Sequence, residues 1–212
     1  MTAQRPAPAQ LEGRYIRISP LTRDDLPALF EAIGRPEVFA GGYGGGPAGL
    51  RATAEEFAAW AETAYMWNTS DVLAVRLKGG EHDGRLVGTS TLGEYDLPNE
   101  AAHIGWTAWD PRVWGTAVNP EAKLLMLGHA FDSGIGRVKI QADARNERSR
   151  KAILRLGATF EGTLRRDRPR ADGSWRDTAV YSVIIDDWPE VKAGLEARLD
   201  VFAGAPVALA SR

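Results

Sequence analysis

The sequence predicts an α+β domain in which helices cross a long central sheet. The first observation is the order of the predicted elements, which runs strand, two helices, three strands, helix, strand, helix and two strands. The second is that the three central strands are separated only by turns, which is typical of an antiparallel meander. The third is the length of 212 residues, which suits one domain with a sizeable core.

Composition and charge exclude several classes of protein. Hydrophobic residues make up 44% of the chain and charged residues 25%, as in ordinary globular domains. The formal net charge of -2 gives the chain no overall attraction for nucleic acid, so we expect no stable nucleic-acid binding. Without Cys there is no disulfide, thiol nucleophile or Cys-ligated zinc, and the three His are too scattered for a metal motif. We expect a cytoplasmic protein without a membrane segment, because neither a signal peptide nor a run of about 18 apolar residues is present.

The first third of the chain predicts one strand and two helices around a glycine-rich loop. Residues 14–21 alternate between apolar and polar positions, as a half-buried strand does. Apolar residues then recur at helical spacing over 26–33 and again over 54–67. The loop at 41–49 formally contains G-x-G-x-x-G, but it follows a helix rather than a strand. We therefore interpret it as a mobile surface loop that could cover a substrate.

The remaining elements complete the order. The meander strands are predicted at 72–77, 85–95 and 102–109. Asn119 as N-cap and Pro120 as the first helical residue predict the start of the next helix. A strand at 138–142, a helix at 147–156, strands at about 159–166 and 178–185, and a helix from Trp188 follow. We assign 11–203 to a single domain, with a disordered tail at 1–10 and a second tail at 204–212.

The most informative segment runs from Trp106 to Asn119, where a strand ends in a turn that opens a helix. Such a turn directs several backbone N–H groups at one place, and the helix N-terminus favours anions. Gly115 and the small Ala117 let the backbone approach a phosphate closely, while Arg112 adds positive charge. A pyrophosphate would therefore fit here, although an ordinary strand-to-helix connection also uses small residues.

A second segment begins at Asn146. This residue is predicted to cap a helix, and Ser149 lies one turn further along the same side. The two could be only a cap and a surface hydroxyl. Alternatively, an amide and a hydroxyl project together from a helix start beside the sheet, at a spacing that suits contact with one elongated ligand.

Both segments resemble the Gcn5-related N-acetyltransferase (GNAT) superfamily, and within it the RimJ/RimL group of ribosomal-protein N-terminal acetyltransferases. The superfamily's coenzyme A signature is Gln or Arg, two residues, Gly, one residue, then Gly or Ala, and the run from Arg112 to Ala117 matches it. The run from Asn146 to Gly162 is similar to the segment after the fifth strand of RimJ/RimL proteins. The likeness covers about residues 11–187. It implies the GNAT fold, in which a mixed, mostly antiparallel sheet flanked by helices splays between its fourth and fifth strands.

The resemblance also implies an acyl-coenzyme A site. Backbone amides of 112–118 would hold the pyrophosphate, and main-chain groups of 106–108 would pair with the pantetheine arm at a bulge. Ser149 would act as the catalytic residue that protonates the departing thiolate. The implied coenzyme contacts are Trp106, Thr107, Ala108, Arg112, Val113, Trp114, Gly115, Thr116, Ala117, Val118, Asn119, Asn146 and Ser149.

The implied reaction is direct attack of an amine on the thioester carbonyl, with no covalent enzyme intermediate and no metal. The donor would be acetyl-coenzyme A or another short-chain acyl-coenzyme A, such as succinyl-coenzyme A. The acceptor amine is left open between a small molecule and a protein N-terminus.

The general base is also left open, because Arg168 stands where RimL-type proteins have a Glu. The candidates are Glu94, Asp143, Asp167, Asp177 and water. The missing Glu keeps a second function under consideration, that of a catalytically inactive sensor or partner protein that binds acyl-coenzyme A.

The C-terminal half also carries a basic run on a predicted hairpin, formed by Arg165, Arg166, Arg168 and Arg170. It could favour an acidic acceptor or an acyl group that bears a carboxylate. Clustered Arg on a hairpin is, however, also typical of a solvated face. We further expect that a homodimer could form through the C-terminal strands and helix.

Overall fold

The computed structural model describes residues 2–8 and 10–211, and its strands form one open sheet. The strands are β1 (Leu11–Glu12), β2 (Ile16–Pro20), β3 (Asp71–Leu77), β4 (Leu86–Asp96), β5 (Ala101–Trp109), β6 (Arg137–Asp143), β7 (Thr159–Pro169) and β8 (Trp175–Ile184). Their order across the sheet is β1-β2-β3-β4-β5-β6-β8-β7. The pair β5 and β6 is parallel and the other neighbours are antiparallel, so the predicted mixed, mostly antiparallel sheet is confirmed.

Helices cover both faces of this sheet. They are α1 (Leu26–Ile33), α2 (Pro36–Ala40), α3 (Ala54–Ala64), α4 (Val118–Asp132), α5 (Glu147–Leu154) and α6 (Trp188–Asp200). Leu29 of α1 and Phe57 of α3 are buried in the core on one face. Met126 of α4 and Leu195 of α6 are buried in the core on the other face. Burial of these two apolar surfaces against the sheet is the main force that holds the layers together.

The sheet splays between β5 and β6, which correspond to the fourth and fifth predicted strands because the short β1 was not predicted, and this agrees with the resemblance. The two strands pair only from Ala101 with Arg137 to Ile104 with Ile140, and beyond that point they separate. A bulge lies in the unpaired half of β5, because the register to β4 shifts there and Trp106 has a φ of 50°. The bulge bends β5 away from β6. The result is a gap in the middle of the sheet with main chain along its edge.

Local rules place most element ends correctly, and α4 is the main difference. This helix starts at Val118 after Ala117, so Pro120 lies at its third position rather than its first. Pro is tolerated anywhere in the first turn, where its missing N–H has no partner to lose. Asn119 does not cap the helix; its Oδ1 accepts a hydrogen bond from Trp109 Nε1 at 3.0 Å. The short elements β1 and α2 were not predicted.

Some described residues of both predicted tails contact the domain, while Met1, Ala9 and Arg212 of these tails lie outside the described residues. Ala3 is buried in the core, and the amide of Gln4 donates to the carbonyl of Ser133 at 3.1 Å. At the other end, Val207 is buried, and the amide of Ala210 donates to the carbonyl of Arg112. A few apolar residues in each of these segments therefore pack on the core, and the division into a domain at 11–203 with two tails stays a prediction. Within the described residues, no helix is both long and apolar enough to span a bilayer.

Candidate functional site

A cavity of about 1000 Å³ occupies the gap between β5 and β6. Its walls are the unpaired half of β5, the end of β6, the loop from β5 to α4, the start of α5, the glycine-rich loop and the β7–β8 hairpin. Main-chain groups of β5 beyond Ile104 have no strand neighbour on the β6 side. A ligand in the cavity could therefore bond this strand edge as an added strand would.

The loop from β5 to α4 is held by a buried carboxylate. Asp110 is fully buried, and its Oδ1 accepts the amide of Arg112 at 2.9 Å. The guanidinium of Arg112 turns back to the same carboxylate at 2.6 Å and does not line the cavity. The side chain of Arg112 therefore neutralises Asp110 and rigidifies the turn in this structure, rather than facing the cavity.

The same loop presents free backbone donors. Within the described part of the chain, the amides of Gly115, Ala117 and Asn119 make no hydrogen bond. Gly115 has a φ of 82°, and no atom lies within 4 Å of the place where a Cβ would stand. A glycine in a left-handed conformation with open space beside it leaves room for a close ligand. Unpartnered N–H groups at the start of a 15-residue helix suit the phosphate groups of coenzyme A.

The structure brings most of the predicted site residues to the cavity wall. Those that line it are Trp106, Thr107, Ala108, Val113, Trp114, Gly115, Thr116, Asn119, Asn146 and Ser149. Arg112, Ala117 and Val118 do not line it, and the last two are buried in the core. The roles that the resemblance gives to these residues stay predictions.

The start of α5 forms the wall opposite the loop. Asn146 caps this helix as predicted, because its Oδ1 accepts the amide of Ser149 at 2.9 Å. Its Nδ2 donates to the carbonyl of Gly41, which ties the glycine-rich loop to the helix. Across the cavity, the guanidinium of Arg148 stacks 3.4 Å from the ring centre of Trp114. The two walls are therefore in contact at one point.

An aromatic cluster supports the bulge of β5. Trp106 packs edge-on against Tyr43 of the glycine-rich loop and against Tyr65, with ring centres about 6 Å apart, and it also packs against Trp60. The hydroxyls of Tyr43 and Tyr65 are hydrogen-bonded to each other. The 41–49 segment is thus anchored by aromatic packing and lies over the cavity, where sequence alone indicated a mobile surface loop.

A histidine that the sequence analysis did not select lies in the cavity wall. His103 of β5 is buried, and its Nδ1 lies 3.0 Å from Oε1 of Glu94. Its Nε2 is buried and has no hydrogen-bond partner among the described residues. Lys139 of β6 holds the other oxygen of Glu94 at 2.7 Å. An imidazole oriented by a carboxylate through one nitrogen, with the other nitrogen free, is an arrangement that accepts protons.

The ionisation states of this pair follow from their surroundings. Burial lowers the pKa of His103 below its ordinary value. Hydrogen bonding from His103 and Lys139 holds the pKa of Glu94 well below its ordinary range, although desolvation opposes this. At neutral pH the imidazole is therefore uncharged and can donate its Nδ1–H to an ionised Glu94.

The four predicted carboxylate bases are less well placed to act directly. Glu94, Asp167 and Asp177 do not line the cavity. Asp143 does, but Arg170 holds its Oδ2 at 2.6 Å. The other oxygen of Asp143, Oδ1, accepts the amide of Arg145 at 3.0 Å, so both carboxylate oxygens are already engaged.

A second unexpected residue is Lys123 of α4. It is buried at the cavity wall, and its Nζ donates to Thr107 Oγ1 at 2.9 Å and to Ser90 Oγ at 3.1 Å. Burial lowers its pKa from 10.5 to about 7. No acidic partner compensates this amine among the described residues, and a lone Lys in an apolar helix pattern gave no signal of that in the sequence.

The described residues contain no group of three or more His, Asp or Glu placed to hold a metal ion. The donor set of the cavity is instead rich in N–H groups and guanidinium groups. Such groups bind anions, which agrees with a phosphorylated and acylated co-substrate.

Comparisons with known proteins agree with this geometry. A family model described as an acetyltransferase (GNAT) domain matches residues 16–159. No curated protein matches the sequence. A presumed acetyltransferase from T. thermophilus is 36% identical over 92% of this chain and 100% of its own, with a TM-score of 0.81.

Two further solved structures are similar. A GCN5-related N-acetyltransferase from Brucella melitensis is 28% identical, with 98% of this chain and 95% of that chain covered and a TM-score of 0.82. Mycobacterium smegmatis RimJ, solved in complex with CoA-disulfide, is 18% identical. The match covers 90% of this chain and 95% of that chain, with a TM-score of 0.72. At that identity the likeness to RimJ is one of fold.

Proposed function

Because the chain belongs to the GNAT acetyltransferase family and is therefore an N-acetyltransferase, we propose that it transfers an acetyl or another short acyl group from coenzyme A to a primary amine by direct attack. The observation that carries the proposal is the gap between β5 and β6. There an unpaired strand edge, unpartnered loop amides and Ser149 meet along one cavity. Holding both substrates in this cavity would replace a bimolecular encounter with a positioned reaction.

His103 is proposed as the general base. An amine reaches the site as an ammonium ion and must lose a proton before its lone pair can attack. The free Nε2 of His103 would accept this proton, directly or through one water, while Glu94 stabilises the imidazolium that forms. Glu94, one of the predicted base candidates, would then act as a positioning residue that orients the imidazole.

Ser149 is proposed as the acid that completes the reaction. The amine nitrogen forms a bond to the thioester carbonyl carbon, and the bond from that carbon to sulfur breaks. The hydroxyl of Ser149 would give its proton to the departing thiolate and regain one from the attacking nitrogen, which loses its second proton as the amide forms. Unpaired main-chain N–H groups of β5 would stabilise the negative charge that develops on the carbonyl oxygen.

The RimJ/RimL-like assignment supports a protein N-terminus as acceptor, and the size of the cavity also admits small amines. The donor is proposed to be acetyl-coenzyme A, with succinyl-coenzyme A as the second choice. We also propose a cytoplasmic location for the enzyme. We further propose that it forms a homodimer, for which the edge strand β7 offers exposed Phe160 and Leu164.

The first test measures binding of acetyl-, succinyl- and free coenzyme A by calorimetry, followed by thiol release on addition of an amine panel. The chain has no Cys, so it adds no thiol background. Binding with amine-dependent release is expected. Binding without release over the whole panel would indicate the inactive sensor, and absence of binding would overturn the proposal.

A matched pair of glycine variants tests the phosphate site. Gly115→Val fills the open space beside the loop amides, and we expect coenzyme A affinity to fall about tenfold or more, as for a lost charged hydrogen bond. Gly84→Val is the control, because Gly84 also has a positive φ with open space but lies in the β3–β4 turn. Equal affinity in both variants would contradict this site. Arg112→Ala is a poor test, since it would leave buried Asp110 without its ion pair.

A further inference from the structure

The β7–β8 hairpin brings three guanidinium groups to one corner of the cavity. Arg168 and Arg176 lie on the two strands, and Arg170 lies at the hairpin end; all three line the cavity. Among the described residues, the carboxylates that line the cavity are Asp143 and Glu147. Glu147 lies on α5 and pairs with Lys151, so Asp143 is the one cavity-lining carboxylate among the described residues that pairs with a hairpin Arg. Glu94 and Asp167 lie 3.8 Å and 3.5 Å from Arg168 but do not line the cavity. Among the groups that line this corner, positive charge is therefore in excess.

The hydrogen-bonding capacity of these three groups is unevenly used. Arg170 is satisfied, because it bonds Asp143 Oδ2 at 2.6 Å and the carbonyl of Trp175. In the part of the chain that the structure describes, Arg168 makes only two long ion pairs, at 3.5 Å to Asp167 and 3.8 Å to Glu94. Arg176 makes no ion pair within the described residues, and its Nε is buried without a partner. A buried, unpaired guanidinium nitrogen is costly unless a ligand satisfies it.

The strand register adds to this cost. Arg168 stands directly opposite Arg176 in the β7–β8 pair. Like charges at opposed positions destabilise a sheet, and desolvation by burial lowers the pKa of Arg176. Arg165, Arg166 and Arg168 of the basic run are all exposed, but only Arg168 of these three lines the cavity, so position at the cavity and not exposure separates the members of the run. An anion held between the opposed guanidinium groups would offset both the repulsion between them and the cost of burying Arg176.

We propose that Arg176 and Arg168 bind a carboxylate of the substrate, so that the enzyme acts on an amine or an acyl group that carries an acid group. This inference rests on the proposed acyl transfer and names the substrate class. Arg168 lies 3.8 Å from Glu94, which in turn contacts His103. The carboxylate would therefore lie close to the reacting amine, as it does in amino acids and short amino acid-like molecules. The planar guanidinium fork suits bidentate contact with such a group.

The experiment compares substrates that differ only in this charge. In one arm, acetyl-coenzyme A is the donor, and linear amino acids of increasing length are compared with their carboxamides. In the other arm, the carboxamides are the acceptors, and succinyl-coenzyme A is compared with butyryl-coenzyme A. A preference for the amino acid over its carboxamide in the first arm assigns the carboxylate to the acceptor. A preference for succinyl-coenzyme A over butyryl-coenzyme A in the second arm assigns the carboxylate to the acyl group.

Arg176→Met should reduce the preference in kcat/KM for the substrate with the carboxylate over its uncharged counterpart. The expected reduction is about tenfold to a hundredfold, the loss expected for a charged bidentate contact. Arg176→Lys keeps the charge without the fork and should retain part of the preference. Arg165→Met removes one exposed Arg from the same strand and should leave the preference unchanged. Affinity for free coenzyme A should stay the same in all three variants, because the proposed phosphate site is built by a different segment, the loop from β5 to α4.

The inference is overturned if the wild type shows no preference in either arm, or if both Arg176 variants keep it. If no amine at all is acylated, the proposed function fails, and glutarate binding to the coenzyme A-loaded protein then decides the inference. Calorimetry should show binding that Arg176→Met weakens, and equal binding by the variant would contradict the carboxylate site.

Discussion

At the scale of single residues, His103 shows how burial prepares a side chain for proton transfer. Its imidazole is kept neutral by desolvation, which lowers its pKa, yet its orientation is fixed by an ionised Glu94. A base that is neutral at the working pH can accept a proton at once, whereas a protonated one cannot. The lowered pKa therefore keeps His103 in the neutral form that a general base needs at neutral pH.

This state predicts a particular pH dependence. The rate constant at saturating amine should rise with pH as His103 loses its proton, with a midpoint below its ordinary pKa of 6.5. His103→Gln should lower kcat by about 10²-fold to 10⁴-fold and remove this limb. Glu94→Gln should lower kcat less and shift the limb, because the imidazole remains. A His103→Gln enzyme that keeps the limb would show that another group is the base.

Lys123 predicts a pH dependence of stability rather than of rate. Its pKa is about 7 in the folded protein and 10.5 ordinarily, so between these values the unfolded state binds more protons. The free energy of unfolding should therefore rise with pH over this window. Lys123→Met should be more stable at pH 7, because it removes a buried amine without a carboxylate partner, and should have a smaller slope.

Denaturant titrations near pH 7 and about pH 9.5 measure this slope. Lys192→Met is the matched control, since Lys192 is exposed on α6. The control should keep the slope of the wild type. An unchanged slope in Lys123→Met would mean that the amine stays charged in the folded state.

At the scale of elements, the start of α5 combines two functions in one side chain. Asn146 caps the helix through Oδ1 and holds the glycine-rich loop through Nδ2. Asn146→Ala loses both, with a capping cost of about 1 kcal/mol. Asn146→Asp keeps a capping oxygen but loses the donor to Gly41. We expect faster hydrogen exchange at 41–46 in both variants. A clear loss of melting temperature is expected only in Asn146→Ala. Unchanged exchange in Asn146→Asp would show that the hydrogen bond from Asn146 to Gly41 does not hold the loop.

Elements were also the level at which sequence reasoning worked best. The cap at Asn146 is a local pattern, and local patterns predicted it correctly. The start of α4 was misplaced because Asn119 is held by a tertiary contact to Trp109, which no local rule contains. His103 was missed for a similar reason. Its partner Glu94 comes beside it through the β4–β5 register, where Gly93 pairs with His103, and through a bulge that follows.

At the scale of the whole molecule, the cavity is closed by segments that are distant in the sequence. The glycine-rich loop contacts α5 through Gly41 and the β7–β8 hairpin through Gly45, whose carbonyl accepts the amide of Ala171 at 3.0 Å. The sheet supplies the frame, and under the proposed function these loops complete the acceptor side of the cavity. Such an arrangement lets the coenzyme site and the acceptor site respond separately to change, because different segments build them.

The contact between Gly45 and Ala171 provides a test of that separation. Ala171 is the second residue of a turn in which the amide of Gly173 donates to the carbonyl of Arg170 at 3.0 Å, a position where Pro is favoured. Ala171→Pro therefore suits the hairpin but removes the donor to Gly45 and crowds its carbonyl. We expect the KM for the amine to rise about tenfold, as for one lost contact of about 1.4 kcal/mol, with no change in coenzyme A affinity. Ala171→Ser keeps the N–H and should behave as the wild type. If Ala171→Pro weakened coenzyme A binding as much as amine binding, the two sites would be coupled through the loop rather than built separately.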